Sequence, residues 1–289
     1  MRSVAQDLCI PYRVIQRTEW DKFPGAHYTL GIDTMLPDGR ALQIASIHQY
    51  RTNFSVPYDI YFEEQDGSRK PVHQTTYGMS ERLVGAVVAI HGDDRGLVMP
   101  PAIAPVQVVV VPVPAKGNAE TIYAEARKMA DRINGGGIRA RADERDIRPG
   151  NKFYHWEKRG VPVRLEIGMK EMDGGFVTAV RRDDGKKSKI EWSKLIGELE
   201  RMLADVSSSM LKKAEKAAKE REFDSSDPSH VRDGYNDMYW CGAEQCGRKI
   251  EELSGASLLG TVQGNARAAG KCVVCGTATE TAACVAKTM

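Results

Sequence analysis

The chain has 289 residues, 42% of them hydrophobic and 28% charged, which suits about two domains each burying its own core. No apolar run approaches the roughly 20 residues of a membrane span, and the N-terminus has no apolar leader core, so the expectation is a cytoplasmic protein. The formal net charge of +2 excludes arguing a nucleic-acid partner from overall charge; any basic face must be local.

The first segment, to about residue 101, reads as strands joined by turns. Tyr28 to Met35 alternates apolar and polar residues and meets a Pro37-Asp38-Gly39 turn, after which a second strand-like run starts at Arg40, predicting an antiparallel hairpin. Tyr58 to Glu63 predicts another strand, closed by a turn at Asp66-Gly67. Ser80 to Ile90 is an apolar run compatible with a buried helix. A boundary follows at Met99-Pro100-Pro101.

Val106 to Val113 has the β-branched composition of a buried parallel strand. Asn118 to Ile133 predicts a helix with Ile122, Ala126, Met129 and Ile133 on one face, ended by three glycines. Strands are expected at 138–142, 161–168 and 176–181, then a helix at 192–203. That alternation implies a compact α/β domain with a mixed sheet. Leu211 to Phe223, rich in Lys, Glu and Ala, predicts a separate solvated helix leading into a cysteine-rich tail.

Five of the six cysteines fall in the last fifth of the chain. Cys241-x4-Cys246 and Cys272-x2-Cys275 form two knuckles whose thiolates can close a tetrahedral site, replacing the core a small subdomain lacks. Four sulfurs leave no open coordination position, so the expected zinc is structural. Cys9 and Cys284 read as packing residues.

Other residues carry chemistry only weakly by themselves. On a regular strand Ser46 shares the facing of His48 while Gln43 points the other way. A half-buried, hydrogen-bonded histidine is the plainest reading of His48. Arg82, between Ser80 and an apolar run, suits phosphate oxygens and a flat base, or else an ion pair with Glu81 or Asp93. Lys152, Arg139, Arg141, Arg145 and Arg148 are candidates for the local basic face.

Taken in order, Phe23-Pro24-Gly25-Ala26, Tyr28-Thr29, Pro37-Asp38-Gly39-Arg40-Ala41-Leu42-Gln43, Ser46, His48 and Asn53-Phe54 resemble the stretch ahead of motif 3 in prolyl-tRNA synthetases of the archaeal/eukaryotic type. Ser80 and Arg82 are similar to motif 3 itself. Arg148-Pro149-Gly150, Trp156-Glu157, Val161-Pro162-Val163-Arg164, Glu166-Ile167-Gly168 and Arg181-Arg182-Asp183 through Lys187 resemble the anticodon-binding domain of class IIa synthetases. The likeness is collinear from about Lys22 to the C-terminus.

The resemblance implies an α/β and α+β fold class in three parts. Residues 1–101 would supply a partial antiparallel class II catalytic sheet, 102–207 an α/β anticodon-binding domain, and 208–289 a helical linker with a small zinc-binding domain. It implies ATP contacts at Gln43, Ser46, Ser80 and Arg82, with Arg82 and His48 converging on one cleft and His48 shaping the proline pocket. Glu157, Arg164 and Lys187 would read anticodon bases, with Phe153 or Trp156 stacking on them. The zinc ligands would be Cys241, Cys246, Cys272 and Cys275, and Mg2+ would accompany ATP. The implied reaction joins L-proline to tRNA(Pro) through a prolyl-adenylate.

Motif 1, motif 2 and the proline-binding Thr/Glu loop of that family have no counterpart in this sequence. A complementary N-terminal catalytic half, or the homodimer typical of the family, is therefore an expected partner. The other readings are a non-catalytic tRNA-binding protein and a zinc-containing structural subunit. Asp33, Tyr77 and Met289 depart from the family's usual Glu, Trp and terminal aromatic residue.

Overall fold

The computed structural model describes residues 2–115, 117–264 and 267–289. The chain divides into two compact units. One combines the segment ending at Ile10 with Val87–Glu215, the other Pro11–Ala86 with Lys216–Met289.

The second unit is built on an eight-stranded sheet. Its order is Glu222–Asp224, Tyr235–Tyr239, Ala282–Ala286, Ser257–Val262, Arg13–Gln16, Tyr28–Met35, Ala41–Arg51 and Gln74–Met79. The first pair is parallel and every other neighbour antiparallel. The predicted hairpin is present, and Gly39 has φ +84 in its turn. A Cβ there would also meet Asp233 Cβ at 2.6 Å, so the turn requires glycine twice over.

The cysteine-rich segment, read from sequence as a small domain of its own, contributes four strands to this sheet. Ile15, Met35 and Ala41 share a core with Tyr235, Leu259, Cys284 and Ala286. The segment also has a core cluster of its own around Met238, Trp240, Ile250, Leu258 and Val285, against which Trp20 packs. The expected strand near Tyr58 is Tyr61–Glu63, paired with Arg69–Pro71.

The first unit holds a five-stranded mixed sheet in the order Lys187–Glu191, Phe176–Arg181, Val163–Ile167, Val108–Pro112 and Ala140–Ala142. Val108–Pro112 lies between two parallel neighbours, and its valines are fully buried, as its β-branched composition predicts. Helix Ala119–Gly135 buries Ile122, Ala126, Met129 and Ile133, the face expected from their spacing.

Two helix predictions need correction. Arg82–His91 is helical but not buried all round, since Val84 and Val88 are exposed. The two helices expected at 192–203 and 211–223 are one helix, Leu195–Lys219, after a 3-10 turn at Trp192–Lys194. Leu195, Leu199, Leu203, Val206, Met210 and Ala214 form an unbroken buried stripe at three- and four-residue steps, which carries the helix through Ser207-Ser208-Ser209. Its last turns are not solvated throughout, and Glu222–Asp224 is a strand.

Candidate functional site

The face that gathers Gln43, Ser46 and His48 depends on a bulge. Strand Ala41–Arg51 pairs Ser46 with Gly31 and His48 with Thr29, but the register shifts so that Ala45 opposes Ile32 while Gln43 opposes Asp33. Ile44 is the extra residue. Strict alternation puts Gln43 on the opposite face from His48; the inserted residue returns it to the face of Asp33, Gly31 and Thr29.

Arg17 locks that arrangement. It is buried, and its Nη2 donates to Asp33 Oδ1 at 2.6 Å and to Gln43 Oε1 at 2.8 Å, while Nη1 donates to the Leu259 carbonyl at 3.2 Å. The guanidinium lies against Gly31, where any Cβ would collide with it. Because Gln43 Oε1 accepts from Arg17, its amide Nε2 is left as a donor. Asp33 is 1% exposed, and among the described residues its Oδ2 has no hydrogen-bond partner. Burial pushes the Asp33 pKa up against the opposing charge and hydrogen bond of Arg17. Arg17 was not singled out from sequence. The available signal was Gly31, a strand-interior glycine that marks close approach of another group.

Gln43, Asp33, Arg17 and Arg82 border one cavity of about 330 Å³, together with Trp20 and Arg248. Arg82 forms an ion pair with neither Glu81 nor Asp93; among the described residues it has no acidic partner within salt-bridge distance. Ser80 is exposed, and its Oγ accepts from the Arg82 backbone N–H at 3.4 Å, turning the chain into the helix.

His48 does not border that cavity. Its Nδ1 lies 3.0 Å from Thr29 Oγ1 and its Nε2 2.9 Å from Ser46 Oγ. Thr29 Oγ1 also accepts the Phe23 N–H at 3.0 Å, and burial lowers the imidazole pKa, so the network suits a neutral ring. His48 packs 4.8 Å from the Phe23 ring and stacks on Tyr50; those two rings, with Phe54 and Thr76, border a second recess. The structure thus places the Gln43–Arg82 pair and the His48–Ser46 pair in adjoining stretches of one sheet face and not in a single pocket.

In the other unit, Glu157, Arg164 and Lys187 border one pocket of about 310 Å³, alongside Phe153, Tyr154 and Arg95. Glu157 accepts from Arg95 Nη1 at 2.7 Å, and Arg164 holds Glu166 through Nε and Nη2 at 3.1 and 2.9 Å. The Arg164 guanidinium lies 4.2 Å from the centre of the Phe153 ring. Arg182 grips Asp93 with two bonds, at 2.8 and 2.6 Å.

Several sequence expectations fail here. Trp156 is buried and donates Nε1–H to Asp143 Oδ2 at 2.8 Å, which makes it a fixed core residue at the pocket wall and not an exposed stacking platform. Lys152 is 0% exposed, donating to Tyr123 Oη and the Asp143 carbonyl, and belongs to no basic surface. Arg139 is spent on the carbonyls of Pro101, Ala102 and Ala104.

The four expected cysteines converge, with every Sγ within 4.8 Å of the others and Cys241 and Cys275 3.8 Å apart. A tetrahedral site with zinc–sulfur bonds near 2.3 Å has sulfur–sulfur edges of about 3.8 Å, so this donor set can hold a metal. Hydrogen bonds from Thr277 pull the Cys275 thiol down to about 6, which favours the ligating thiolate. Burial pushes Cys284 far up, in keeping with an inert core thiol.

Comparison with known proteins gives these sites a family. Residues 1–91 match the tRNA synthetase class II core domain (G, H, P, S and T), and 107–202 match an anticodon binding domain. That succession makes the chain a member of the class II aminoacyl-tRNA synthetases. Residues 230–288 match the prolyl-tRNA synthetase C-terminal domain. Proline--tRNA ligases from Thermococcus kodakarensis, Thermoplasma acidophilum and Methanosarcina mazei are 43%, 46% and 41% identical over 95%, 95% and 99% of this chain. The chain belongs to the prolyl-tRNA synthetase family, and it spans 59–61% of the length of those relatives. The likeness expected from about Lys22 extends back to the first residues.

Proposed function

We propose that this chain supplies motif 3, anticodon recognition and a zinc-stabilised C-terminal region to a proline--tRNA ligase. The reaction activates L-proline with ATP to prolyl-adenylate and transfers it to tRNA(Pro) in the cytosol. The observation that carries the reading is the bulge at Ile44, which sets Gln43 beside Asp33 and Arg82 at one cavity while Ser46 and His48 continue the same face. Gln43 Nε2, Ser80 and Arg82 orient the nucleotide, and the guanidinium balances charge leaving the α-phosphate. The aromatic recess beside His48 suits the apolar ring of proline. Positioning and charge stabilisation suffice, so no side-chain nucleophile is required.

Zinc at the cysteine site closes the turns of the C-terminal segment, and Mg2+ arrives with the ATP phosphates, whose oxygens are its usual ligands. Glu157, Arg164 and Lys187 read anticodon bases in their shared pocket, which has room for a splayed base and edge donors and acceptors of both signs.

A second polypeptide segment completes the catalytic part. Gln74–Met79 is the outermost strand of its sheet, with Tyr77 72% and Met79 56% exposed, and Val84 beside it is 67% exposed. An open outer strand with exposed large side chains invites pairing with another strand. The occupant proposed is a polypeptide equivalent to the rest of the relatives' length, and the assembled enzyme is a homodimer. Proline-dependent ATP–pyrophosphate exchange tests this. The chain alone gives none, the chain mixed with that polypeptide restores it, and Arg82→Ala in the mixture removes it. Tight association without exchange would instead support the non-catalytic tRNA-binding alternative.

A further inference from the structure

A cleft in the unit that holds Val108–Pro112 gathers more guanidinium charge than its own acids use. About 770 Å³ in volume, it lies between helix Ala119–Gly135, the outermost strand Ala140–Ala142 and the end of helix Pro149–Lys158. The guanidinium carbons of Arg141, Arg145 and Arg159 lie 6.0, 5.9 and 5.9 Å from the centre of the Trp156 ring. Asp143 takes up Arg145 at 2.6 and 2.9 Å, and Glu144 lies 3.6 Å from Arg127. Arg141 and Arg159 have no ion pair among the described residues, and Asp131 is the remaining acid on the lining.

The floor beneath them is rigid. Trp156 is pinned to Asp143, and the buried Lys152 ties the Asp143 carbonyl to Tyr123. Exposed arginines normally spread apart in water; here three converge on one indole. The His155 imidazole responds: its pKa is lowered, first by burial and then by Arg145 and Arg159.

We propose that this cleft binds phosphodiester groups of an RNA backbone, Arg141 and Arg159 each forking onto phosphate oxygens. The proposal rests on the tRNA-binding reading and adds a second contact area to it. Trp156 borders both this cleft and the pocket of Glu157, Arg164 and Lys187, so an RNA strand presenting bases to one has its backbone near the other. The division of labour follows from chemistry: phosphate contacts set position and affinity, whereas base-edge contacts set sequence.

The test titrates the full chain with two anticodon stem–loop RNAs, one carrying a proline anticodon and one with those bases changed, over a range of salt. Arg141→Gln with Arg159→Gln weakens both RNAs equally, roughly tenfold at low salt, and reduces the slope of log affinity against log salt by about 1.4 to 1.8. The Lys pair retains most of that slope, and a thermal melt checks that the fold persists. Arg164→Ala instead narrows the ratio between the two RNAs. Unchanged affinity and slope in the Gln pair, with Arg164→Ala still erasing discrimination, overturns the cleft and leaves tRNA binding intact. Loss of discrimination in the Gln pair also overturns it, because the cleft would then read bases. No binding of either RNA by the unaltered chain overturns both.

Discussion

The two units hold their functional polar groups in opposite ways. Around the anticodon-type pocket the charges satisfy one another within the unit: Glu157 with Arg95, Arg164 with Glu166, and Asp93 with Arg182. On the eight-stranded sheet Arg17 and Asp33 are locked together, yet among the described residues Asp33 Oδ2 has no hydrogen-bond partner and Arg82 no acidic one, and Gln74–Met79 is an outermost strand. A pocket of mutually paired side chains is preorganised by its own contacts. Orphaned polar groups and an open strand edge instead leave a face free to pair with a ligand or with another strand.

That contrast can be broken most forcefully through the metal. Structural zinc in small sites is worth on the order of 10 kcal/mol, and the cysteine segment shares its core with Ile15 and Met35. The expected result is one zinc per chain, with chelation or Cys272→Ala unfolding the sheet that carries Gln43. The five-stranded sheet retains its own melting transition. A single melt that shifts as one would erase the distinction between the units.

Arg17→Ala comes next. It strands the Asp33 carboxyl at 1% exposure and should cost about 3–5 kcal/mol in denaturant unfolding, whereas Arg17→Met with Asp33→Leu recovers most of the loss. Equal losses in the single and double variants would mean that the pair itself, and not the uncompensated carboxyl, sets the cost.

The smallest effect belongs to the other unit and to pH. His91 is buried, its Nε2 2.9 Å from the Leu8 carbonyl. Burial lowers its pKa, the Leu8 bond opposes this, and Lys213 adds to the lowering. A depressed histidine means that the unfolded chain takes up the proton first. Its contribution is complete above the unfolded value near 6.5 and is lost as pH falls through the folded value, with a slope of at most about 1.4 kcal/mol per pH unit. His91→Gln should flatten that part of the stability profile. A profile with the same slope in the variant would assign the pH dependence to other groups.

What the sequence determined by itself was whatever depends on local pattern. The 3.6-residue spacing of Ile122, Ala126, Met129 and Ile133 fixed a helix face, Pro37-Asp38-Gly39 fixed a turn, and paired cysteines fixed a donor set, because each needs only neighbours in the chain. Gln43, Ser46, Ser80 and Arg82 were singled out through their likeness to a known family, and the structure sets Gln43 and Arg82 at one cavity while Ser46 pairs with His48. Tertiary structure decided everything set by distant partners. Strict alternation put Gln43 on the wrong face because a bulge is a property of two paired strands, and the importance of Arg17 appears only when Asp33 and Gly31 lie beside it. Lys152 read as part of a basic face until Asp143 and Tyr123 were seen to hold it inside, and the cysteine segment adds a shared core to its own by joining strands more than two hundred residues earlier in the chain. Local propensity is written in the order of residues; burial and charge pairing exist only after the chain has closed on itself.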